Sequence, residues 1–373
     1  MQRTALIMAG GSGERFWPLS RRTKPKQLLK LVSPDKTMLD EAIERISPLV
    51  APENVFIITS EALQPIMREN LTMLHPENII AEPMKRNTAP CIALSAAYIA
   101  ERYAHLPMQE ISMAVLTADH FIEDAERFRT SVDAALSHAE TTGDIVTFGV
   151  QPVRPATGYG YIEIAKGQTA SDVQATPVAS FHEKPSLQTA EEFLRQGRFF
   201  WNSGMFFWRL DTIVSGLEHH LPEVGWKIKE MRGVLTDKTR SASIGAPSGT
   251  LDIFKAMPDI SIDYGLMERA HHVAVVRGDF GWDDVGSWDA LERVYAPDEA
   301  GNINVGGSLL MDSKNCIVMN SVGEETLSVA AIGIENLVIV ATADGILVCP
   351  KDRVQDVRKV VTALREQSGE KFV

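Results

Sequence analysis

A glycine turn and a run of cations follow the first apolar stretch, in the segment MAGGSGERFWPLSRRTKPKQLL (8–29). The three glycines allow positive φ and let an anion approach the backbone N–H groups closely. Arg15 can supply a planar fork to phosphate oxygens, and Lys26 a compact charge to a phosphoryl group. This segment therefore predicts a loop that wraps a triphosphate.

Two better-known phosphate loops do not match this segment. The chain has no GxxxxGK[ST] run, and the dinucleotide fingerprint GxGxxG needs a glycine where Phe16 stands. Pro18 also disfavours an ordinary helix start. The alternative to a phosphate cradle is a tight turn with a solvated basic loop, and the length of the matching string, G-G-S-G-x-R-x-W-P-L-S-x-x-x-x-P-K-Q, favours the cradle.

Two acidic segments could hold a metal ion. LTADH (116–120) places Asp119 after a buried apolar run, and GWDDVGSW (281–288) offers Asp283 or Asp284. Two carboxylates from distant segments suit Mg²⁺, which takes few protein ligands and leaves positions for phosphate and water. The alternative for each segment is a turn or a helix cap, and the residues alone leave the choice between the two adjacent aspartates open.

Two further segments have the residue types that a sugar phosphate requires. In FHEKP (181–185), Glu183 can accept hydrogen bonds from hydroxyls and Lys184 can pair with phosphate, the alternative being a surface salt bridge. WNSGMF (201–206) predicts an exposed Asn202 between aromatic residues, an arrangement typical of sugar contact.

EPMKRNTAP (82–90) places Glu82, Asn87 and Thr88 directly before a helical stretch. The simple alternative to ligand binding is that Asn87 or Thr88 caps this helix. The nine histidines show no metal-ligand spacing.

The elements around these segments predict an α/β fold. Continuous apolar strands alternate with helices up to residue 150, which indicates a mainly parallel sheet with both faces covered. Ligands of such sheets bind beyond the carboxyl ends of the strands, so the glycine turn, TADH and the loop after Ile80 should share one edge. Near residue 300 the sequence pattern changes to one of short strands separated by turns. We therefore expect a domain over 1–299 and a small β-rich module over 300–373.

Composition limits the partners and the location. The 373 residues have a net charge of −12, which argues against a nucleic acid or an anionic membrane as a general partner. The three cysteines are far apart and form no CxxC pair, which is typical of a reduced, cytosolic protein. The chain has no apolar run of transmembrane length, and its first residues do not form a signal peptide. We therefore expect a cytoplasmic protein.

Taken together and in order, the motifs resemble those of the mannose-1-phosphate guanylyltransferases, or GDP-mannose pyrophosphorylases, within the sugar-phosphate nucleotidyltransferases. The segments that carry the resemblance are GGSGERFWPLSRRTKPKQLL, EPMKRNTAP, LTADH, TGYGYI, FHEKP, WNSGMF, SIDYGLME and GWDDVGSW. The resemblance implies a Rossmann-like nucleotidyltransferase domain that uses Mg²⁺ and converts mannose 1-phosphate and GTP to GDP-mannose and pyrophosphate. It also implies a homodimer formed through the C-terminal module. Isomerase activity is not expected, because the chain ends before any cupin-type isomerase domain.

The same resemblance assigns roles to individual residues. Arg15 and Lys26 match the catalytic phosphate contacts, and Asp119 matches a metal-binding aspartate. The spacing to Trp282 and Gly286 in relatives selects Asp284 as the second metal ligand and leaves Asp283 for solvent or a cap. The nucleotide-binding positions are Ala9, Gly10, Gly11, Ser12, Gly13, Glu82, Asn87 and Thr88. The sugar-phosphate positions are Gly158, Glu183, Lys184 and Asn202. Phe16 and His182 depart from the usual family residues, and neither departure removes a charge.

The sequence leaves two alternative functions. One is a nucleotidyltransferase for another sugar 1-phosphate or another nucleoside triphosphate. The other is a catalytically inactive regulatory relative, which should have lost charged site residues. Arg15, Lys26, Asp119, Lys184 and Asp284 are all present, so the sequence favours an active enzyme.

Overall fold

The computed structural model describes residues 1–236, 245–247 and 249–373. Within these residues the chain forms two compact units. The first unit comprises residues 1–10, 43–117 and 122–282, and the second comprises residues 11–42, 118–121 and 283–373.

The α-helices of the described residues have the following bounds. They are α1 (Met38–Ile46), α2 (Gln64–Asn70), α3 (Thr88–Arg102), α4 (Ala125–Thr142), α5 (Leu187–Gln196), α6 (Leu210–His220), α7 (Pro222–Thr236), α8 (Thr250–Lys255), α9 (Leu291–Val294) and α10 (Val357–Ser368). Short 3₁₀ turns cover Glu14–Phe16, Lys26–Leu28 and Lys351–Asp356.

Nine strands form the sheet of the first unit. They are β1 (Gln2–Met8), β2 (Val55–Ser60), β3 (Ile79–Glu82), β4 (Ile111–Thr117), β5 (Ile145–Val150), β6 (Tyr161–Ile164), β7 (Thr176–His182), β8 (Phe199–Arg209) and β9 (Val273–Arg277). Their order across the sheet is β3-β2-β1-β4-β8-β5-β9-β7-β6. Two further strands have only two residues each, Phe121–Ile122 and Trp282–Asp283.

The sheet is mixed, so the prediction of a mainly parallel sheet is confirmed only in part. The strands β3, β2, β1 and β4 pair in parallel, and so do β5 and β9. The strand β8 is antiparallel to β4 and β5, and β6 is antiparallel to β7 and β8. No helix separates β6 from β7, and a connection without a crossover pairs neighbours antiparallel. The direction of β8 is hidden in the sequence, because a strand buried on both faces is apolar throughout in either direction.

The parallel strands end at one edge, as predicted. Met8 at the end of β1 lies opposite Thr117 at the end of β4. Ser60 at the end of β2 lies opposite Glu82 at the end of β3. The segments that follow these strands therefore begin at the edge where ligands of such sheets bind.

The second unit contains the β-rich C-terminal segment that the sequence predicts. Its strands are β10 (Ile303–Val305), β11 (Ser308–Met311), β12 (Ile317–Asn320), β13 (Val329–Ile332), β14 (Leu337–Ala341) and β15 (Ile346–Pro350). They form a four-stranded sheet of order β10-β12-β14-β15 and a two-stranded sheet of β11 and β13. All these pairs are parallel except β14 with β15, so short successive strands stack as coils.

The basic glycine-rich segment is anchored in this second unit by apolar side chains. Phe16 and Trp17 belong to one buried cluster with Trp288, Ile317 and Val338. The rings of Phe16 and Trp288 meet edge to face with their centroids 5.0 Å apart. The Trp288 indole N–H also donates to the backbone oxygen of Trp17 at 3.2 Å. This packing fixes the segment on which the predicted phosphate contacts lie.

No helix in the described parts of the chain has the length and apolarity needed to cross a membrane.

Candidate active site

Gly13 determines how the glycine-rich segment of the second unit folds back on itself. Its φ is +62°, and a Cβ at this position would lie 2.5 Å from Lys26 Cβ and 2.8 Å from the Lys26 backbone nitrogen. No other residue type fits there without moving Lys26. Gly10 and Gly11 do not take positive φ. The positive φ expected of the three glycines in this turn therefore occurs only at Gly13.

Lys26 is buried and held from two sides. Its side chain is only 6% exposed, and Nζ donates to Asp119 Oδ2 at 3.0 Å and to the backbone oxygen of Asp284 at 2.7 Å. A buried ammonium needs such partners, because its desolvation is costly. The structure thus brings together three residues that the sequence placed in separate motifs.

Burial and the charge of Lys26 together shift the pKa values of its neighbours. Burial works to raise the pKa of Asp119, but Lys26 and His120 outweigh it and leave that pKa below its ordinary value. Burial lowers the pKa of His120, and Lys26 lowers it further against the effect of Asp119. Asp119 is therefore a carboxylate at neutral pH.

Arg15 and Asp284 approach each other over a residue without a side chain. A Cβ on Gly286 would lie 2.9 Å from Asp284 Oδ2 and 3.5 Å from Arg15 Nη1. Burial and the nearby Arg358 lower the pKa of Arg15, while the carboxylates of Asp284 and Asp289 work to raise it. The second unit therefore groups two cations, Arg15 and Lys26, with the carboxylates of Asp119 and Asp284.

Asp283 acts as a cap, which the sequence offers as one alternative, and also forms an ion pair that the sequence does not predict. It is buried rather than left to solvent, and its carboxylate pairs with the guanidinium of Arg293. Oδ1 also accepts from the backbone N–H of Val285 at 2.8 Å. Val285 has a φ of +42°, which is strained for a β-branched residue. Asp283 thus stabilises the turn that follows Asp284, in part as the predicted cap.

The two carboxylates fit a small divalent cation. Asp119 and Asp284 supply the hard oxygen donors that Mg²⁺ prefers, and Mg²⁺ is commonly bound by one or two carboxylates together with substrate phosphates. Across the described ranges, the structure has no cluster of three or more His, Cys, Asp or Glu residues suited to a metal. The donor set agrees with a metal that is completed by substrate.

In the first unit, Glu183 and Lys184 form an ion pair at the end of β7. Lys184 Nζ lies 2.9 Å from Glu183 Oε1, and the Glu183 side chain is 7% exposed against 56% for Lys184. A Cβ on Gly160 would lie 2.5 Å from Glu183 Oε2, so this carboxylate is closely confined. Lys184 takes a φ of +45°, and its hydrogen bond to Glu183 raises its pKa. The pair combines a confined acceptor with an exposed cation.

Asn202 is buried within β8, not exposed as the sequence suggested. Oδ1 accepts from Thr147 Oγ1 at 3.0 Å and from the Gly204 N–H at 3.2 Å. Nδ2 donates to Asp263 Oδ1 at 2.9 Å. The aromatic residues around it belong to a long strand and not to a loop, which explains the burial. These bonds fix the orientation of the amide.

Asp263 has no role predicted from the sequence, and the structure places it against Asn202. Burial raises its pKa to about 6, with Glu183 adding to the effect, while Lys184 and Asn202 oppose it. The only sequence signal is one carboxylate within the motif SIDYGLME, and nothing in that motif shows that it faces Asn202.

The segment after β3 combines a buried acid with a helix cap. Glu82 Oε1 is buried with no hydrogen-bond partner among the described residues, and burial raises the pKa of Glu82 to about 7. Asn87 Oδ1 accepts from the Thr88 N–H at 3.0 Å, so Asn87 caps α3. Thr88 Oγ1 accepts from the Ile262 N–H at 2.8 Å. Asn87 therefore has the capping role that the sequence allows.

Most of the remaining residues predicted to bind nucleotide or sugar phosphate are exposed to solvent. Ala9 is buried and its N–H donates to the Ile58 oxygen at 2.8 Å. Gly10 and Gly158 are exposed, and a Cβ at either position would meet no atom within 4 Å. In the second unit, Gly11 and Ser12 are also exposed.

Comparison with known proteins divides the chain once, near residue 300. The family model described as nucleotidyl transferase matches residues 4–300, and the model described as MannoseP isomerase/GMP-like beta-helix domain matches residues 306–364. A mannose-1-phosphate guanylyltransferase of Klebsiella pneumoniae is 41% identical over 372 residues, which cover 98% of this chain and 75% of the relative. One of Escherichia coli is 40% identical with the same coverage. A solved structure from Thermus thermophilus, described as a mannose-1-phosphate geranyltransferase, has a TM-score of 0.83 at 34% identity and covers 98% of this chain and 100% of its own.

The raised pKa of Glu82 predicts a pH-dependent cost to stability. The folded state favours the protonated acid, so the wild type should lose stability as the pH rises from about 4.5 to about 7. Glu82→Gln should match the wild type at pH 4 and exceed its free energy of unfolding by about 1–3 kcal/mol at pH 8. Urea denaturation at both pH values measures this. The exposed Glu69→Gln is the control, and a Glu82→Gln difference that is equal at both pH values would contradict the assignment.

Proposed function

The chain belongs to the nucleotidyl transferase family, and from this premise we propose that it transfers GMP from GTP to mannose 1-phosphate, giving GDP-mannose and pyrophosphate. The observation that carries the proposal is Lys26, buried and bound to both Asp119 and the backbone of Asp284. The chemistry of phosphoryl transfer requires such fixed charge and little else from the protein. The names of the relatives at about 40% identity support the substrates.

We assign the triphosphate to residues of the second unit. The family resemblance implies that phosphate oxygens contact the backbone of Gly11, Ser12 and Gly13. Gly11 and Ser12 are exposed, and Gly13 packs against Lys26. Arg15 can pair with two phosphate oxygens at once. Lys26 stabilises the charge that develops on the transferring group.

We assign the mannose phosphate and further nucleotide contacts to residues of the first unit. Lys184 pairs with the sugar phosphate, and the confined Glu183 and the oriented Asn202 contact sugar hydroxyls, with Gly158 beside them in the family pattern. Ala9, Gly10, Glu82, Asn87 and Thr88 complete the nucleotide-binding positions. The confinement of Glu183 by Gly160 and the fixed amide of Asn202 support the sugar assignment.

We propose Mg²⁺ as the cofactor, with Asp119 and Asp284 as its protein ligands. When bound, Mg²⁺ supplies Lewis-acid stabilisation of phosphate charge. The lowered pKa of Asp119 supports this assignment, because a ligand must be deprotonated.

The reaction then needs no protein nucleophile. An oxygen of mannose 1-phosphate forms a bond to the α-phosphorus of GTP, and the bond from that phosphorus to the bridging oxygen of pyrophosphate breaks on the opposite side. The attacking phosphate is already ionised, so no general base is required. The protein contributes by positioning the reactants and by fixing cations that need no reorganisation during the step.

We propose that residues 1–299 form the catalytic domain and residues 300–373 a small separate module. The bounds of the two family matches support this division. We also propose a homodimer formed through that module. Leu309, Met311 and Ile332 are at least half exposed, and Met311 lies opposite Ile332 on paired strands. Apolar side chains in such a patch favour an interface. Sedimentation equilibrium measures the mass, and a monomer would contradict the dimer.

We place the protein in the cytoplasm. Cys91, Cys316 and Cys349 are free thiols, which suits a reducing compartment.

Substrate specificity is tested by pyrophosphate release across four nucleoside triphosphates and several sugar 1-phosphates, with and without Mg²⁺. We expect release only with GTP, mannose 1-phosphate and a divalent cation together. Equal turnover with UTP and glucose 1-phosphate would overturn the substrates while leaving the reaction class intact. Release without any divalent cation would overturn the proposed cofactor.

The adjacent aspartates should separate activity from stability. Asp284→Ala should be almost inactive and only partly rescued by high Mg²⁺, with little change in melting temperature. Asp283→Ala should keep turnover within about tenfold, or about 1.4 kcal/mol of barrier. It should lose about 1–3 kcal/mol of stability because Arg293 loses one of its carboxylate partners and the Val285 N–H loses its acceptor. Kinetics over a Mg²⁺ titration and thermal melts of both variants check this, and an inactive Asp283→Ala beside an active Asp284→Ala would reverse the roles.

A further inference from the structure

The glycine-rich segment is joined to the last thirty residues of the second unit by polar contacts. The Trp17 indole N–H donates to the Phe372 backbone oxygen at 2.7 Å. Arg21 Nη2 lies 2.8 Å from Asp344 Oδ1. These contacts, together with the shared apolar cluster, place the C-terminal residues against the segment that carries Arg15.

One of these contacts reaches Arg15 itself. Arg15 Nη1 donates to Gln355 Oε1 at 3.3 Å. Gln355 lies in the 3₁₀ turn Lys351–Asp356, directly before α10. Gln355 is 340 residues away from Arg15 in the sequence, so no local sequence pattern links these two residues.

The amide of Gln355 is oriented by a second bond. Its Nε2 donates to Ser287 Oγ at 2.9 Å, and the buried Ser287 hydroxyl in turn donates to Asp289 Oδ1. Because the donor end of the amide is occupied by Ser287, the acceptor end faces Arg15. This is a chain of bonds that ends on a carboxylate and holds one orientation of the amide.

A neutral acceptor suits this position. Arg15 already has the carboxylates of Asp284, Asp289 and Asp119 nearby, and Arg358 on α10 opposes them. An amide oxygen takes one of the five guanidinium donors without cancelling the positive charge. A carboxylate at 355 would form an ion pair with Arg15 and repel an incoming triphosphate.

We propose that Gln355 is a positioning residue for Arg15, so that the C-terminal module takes part in nucleotide binding and transfer as well as in assembly. This inference rests on the proposed function. It assigns to Gln355 the task of keeping one guanidinium edge occupied while the other donors of Arg15 remain for the triphosphate.

The test is steady-state pyrophosphate release by Gln355→Ala and Gln355→Glu, each in the wild-type and in an Arg15→Ala background. Gln355→Ala should lower kcat/KM for GTP about three- to tenfold, as expected for the loss of one hydrogen bond, and leave KM for mannose 1-phosphate unchanged. Gln355→Glu should raise KM for GTP more than the alanine variant does. In the Arg15→Ala background, Gln355→Ala should change kcat/KM by less than about twofold, because its effect acts through Arg15.

Gln367→Ala, an exposed glutamine on α10, is the matched control and should leave kinetics unchanged. Equal losses from Gln355→Ala in both backgrounds would show a general structural role and overturn the proposal, as would wild-type kinetics for Gln355→Ala. A wild type that releases no pyrophosphate from GTP and mannose 1-phosphate would instead refute the proposed function.

Discussion

The buried ammonium of Lys26 is the constraint on which the proposed catalytic arrangement depends. Removed from water, it requires negative or dipolar partners, and it finds them in the Asp119 carboxylate and the Asp284 backbone oxygen. These two partners come from segments far apart in the chain. The position of Lys26 is in turn fixed by Gly13, which has no side chain to push it away. One charge therefore fixes the glycine-rich segment and both proposed metal ligands relative to one another.

The turn at 283–286 shows how adjacent residues divide structural and chemical tasks. Asp283 binds Arg293 and the Val285 N–H through its carboxylate, and so stabilises a strained backbone. That backbone directs the carbonyl oxygen of Asp284 to Lys26 and its side chain toward Arg15 over Gly286. Strain at Val285 is tolerated because the side chain is fully buried in the core of the second unit.

The sequence predicted the existence of most elements but not all of their directions. Apolar strands such as β1 and β4 were recognisable, and their shared edge followed from the alternation of strands and helices. The antiparallel direction of β8 is not predictable, because a strand buried on both faces is apolar throughout and its sequence does not indicate its direction. Among site residues, motif chemistry singled out Lys26 and Asp119. Asp263 and Gln355 were missed, because their importance arises from neighbours that are distant in sequence.

Lys26 is proposed to act through its fixed position and not through charge alone, and the kcat of Lys26→Arg distinguishes these two contributions. Arginine keeps the charge, but its planar head cannot reproduce a compact ammonium bound between Asp119 and the Asp284 carbonyl. With a native circular dichroism spectrum as the check on folding, kcat for Lys26→Arg should fall by at least about tenfold, towards the roughly hundredfold loss expected for Lys26→Ala. A folded Lys26→Arg enzyme with wild-type kcat would contradict the account.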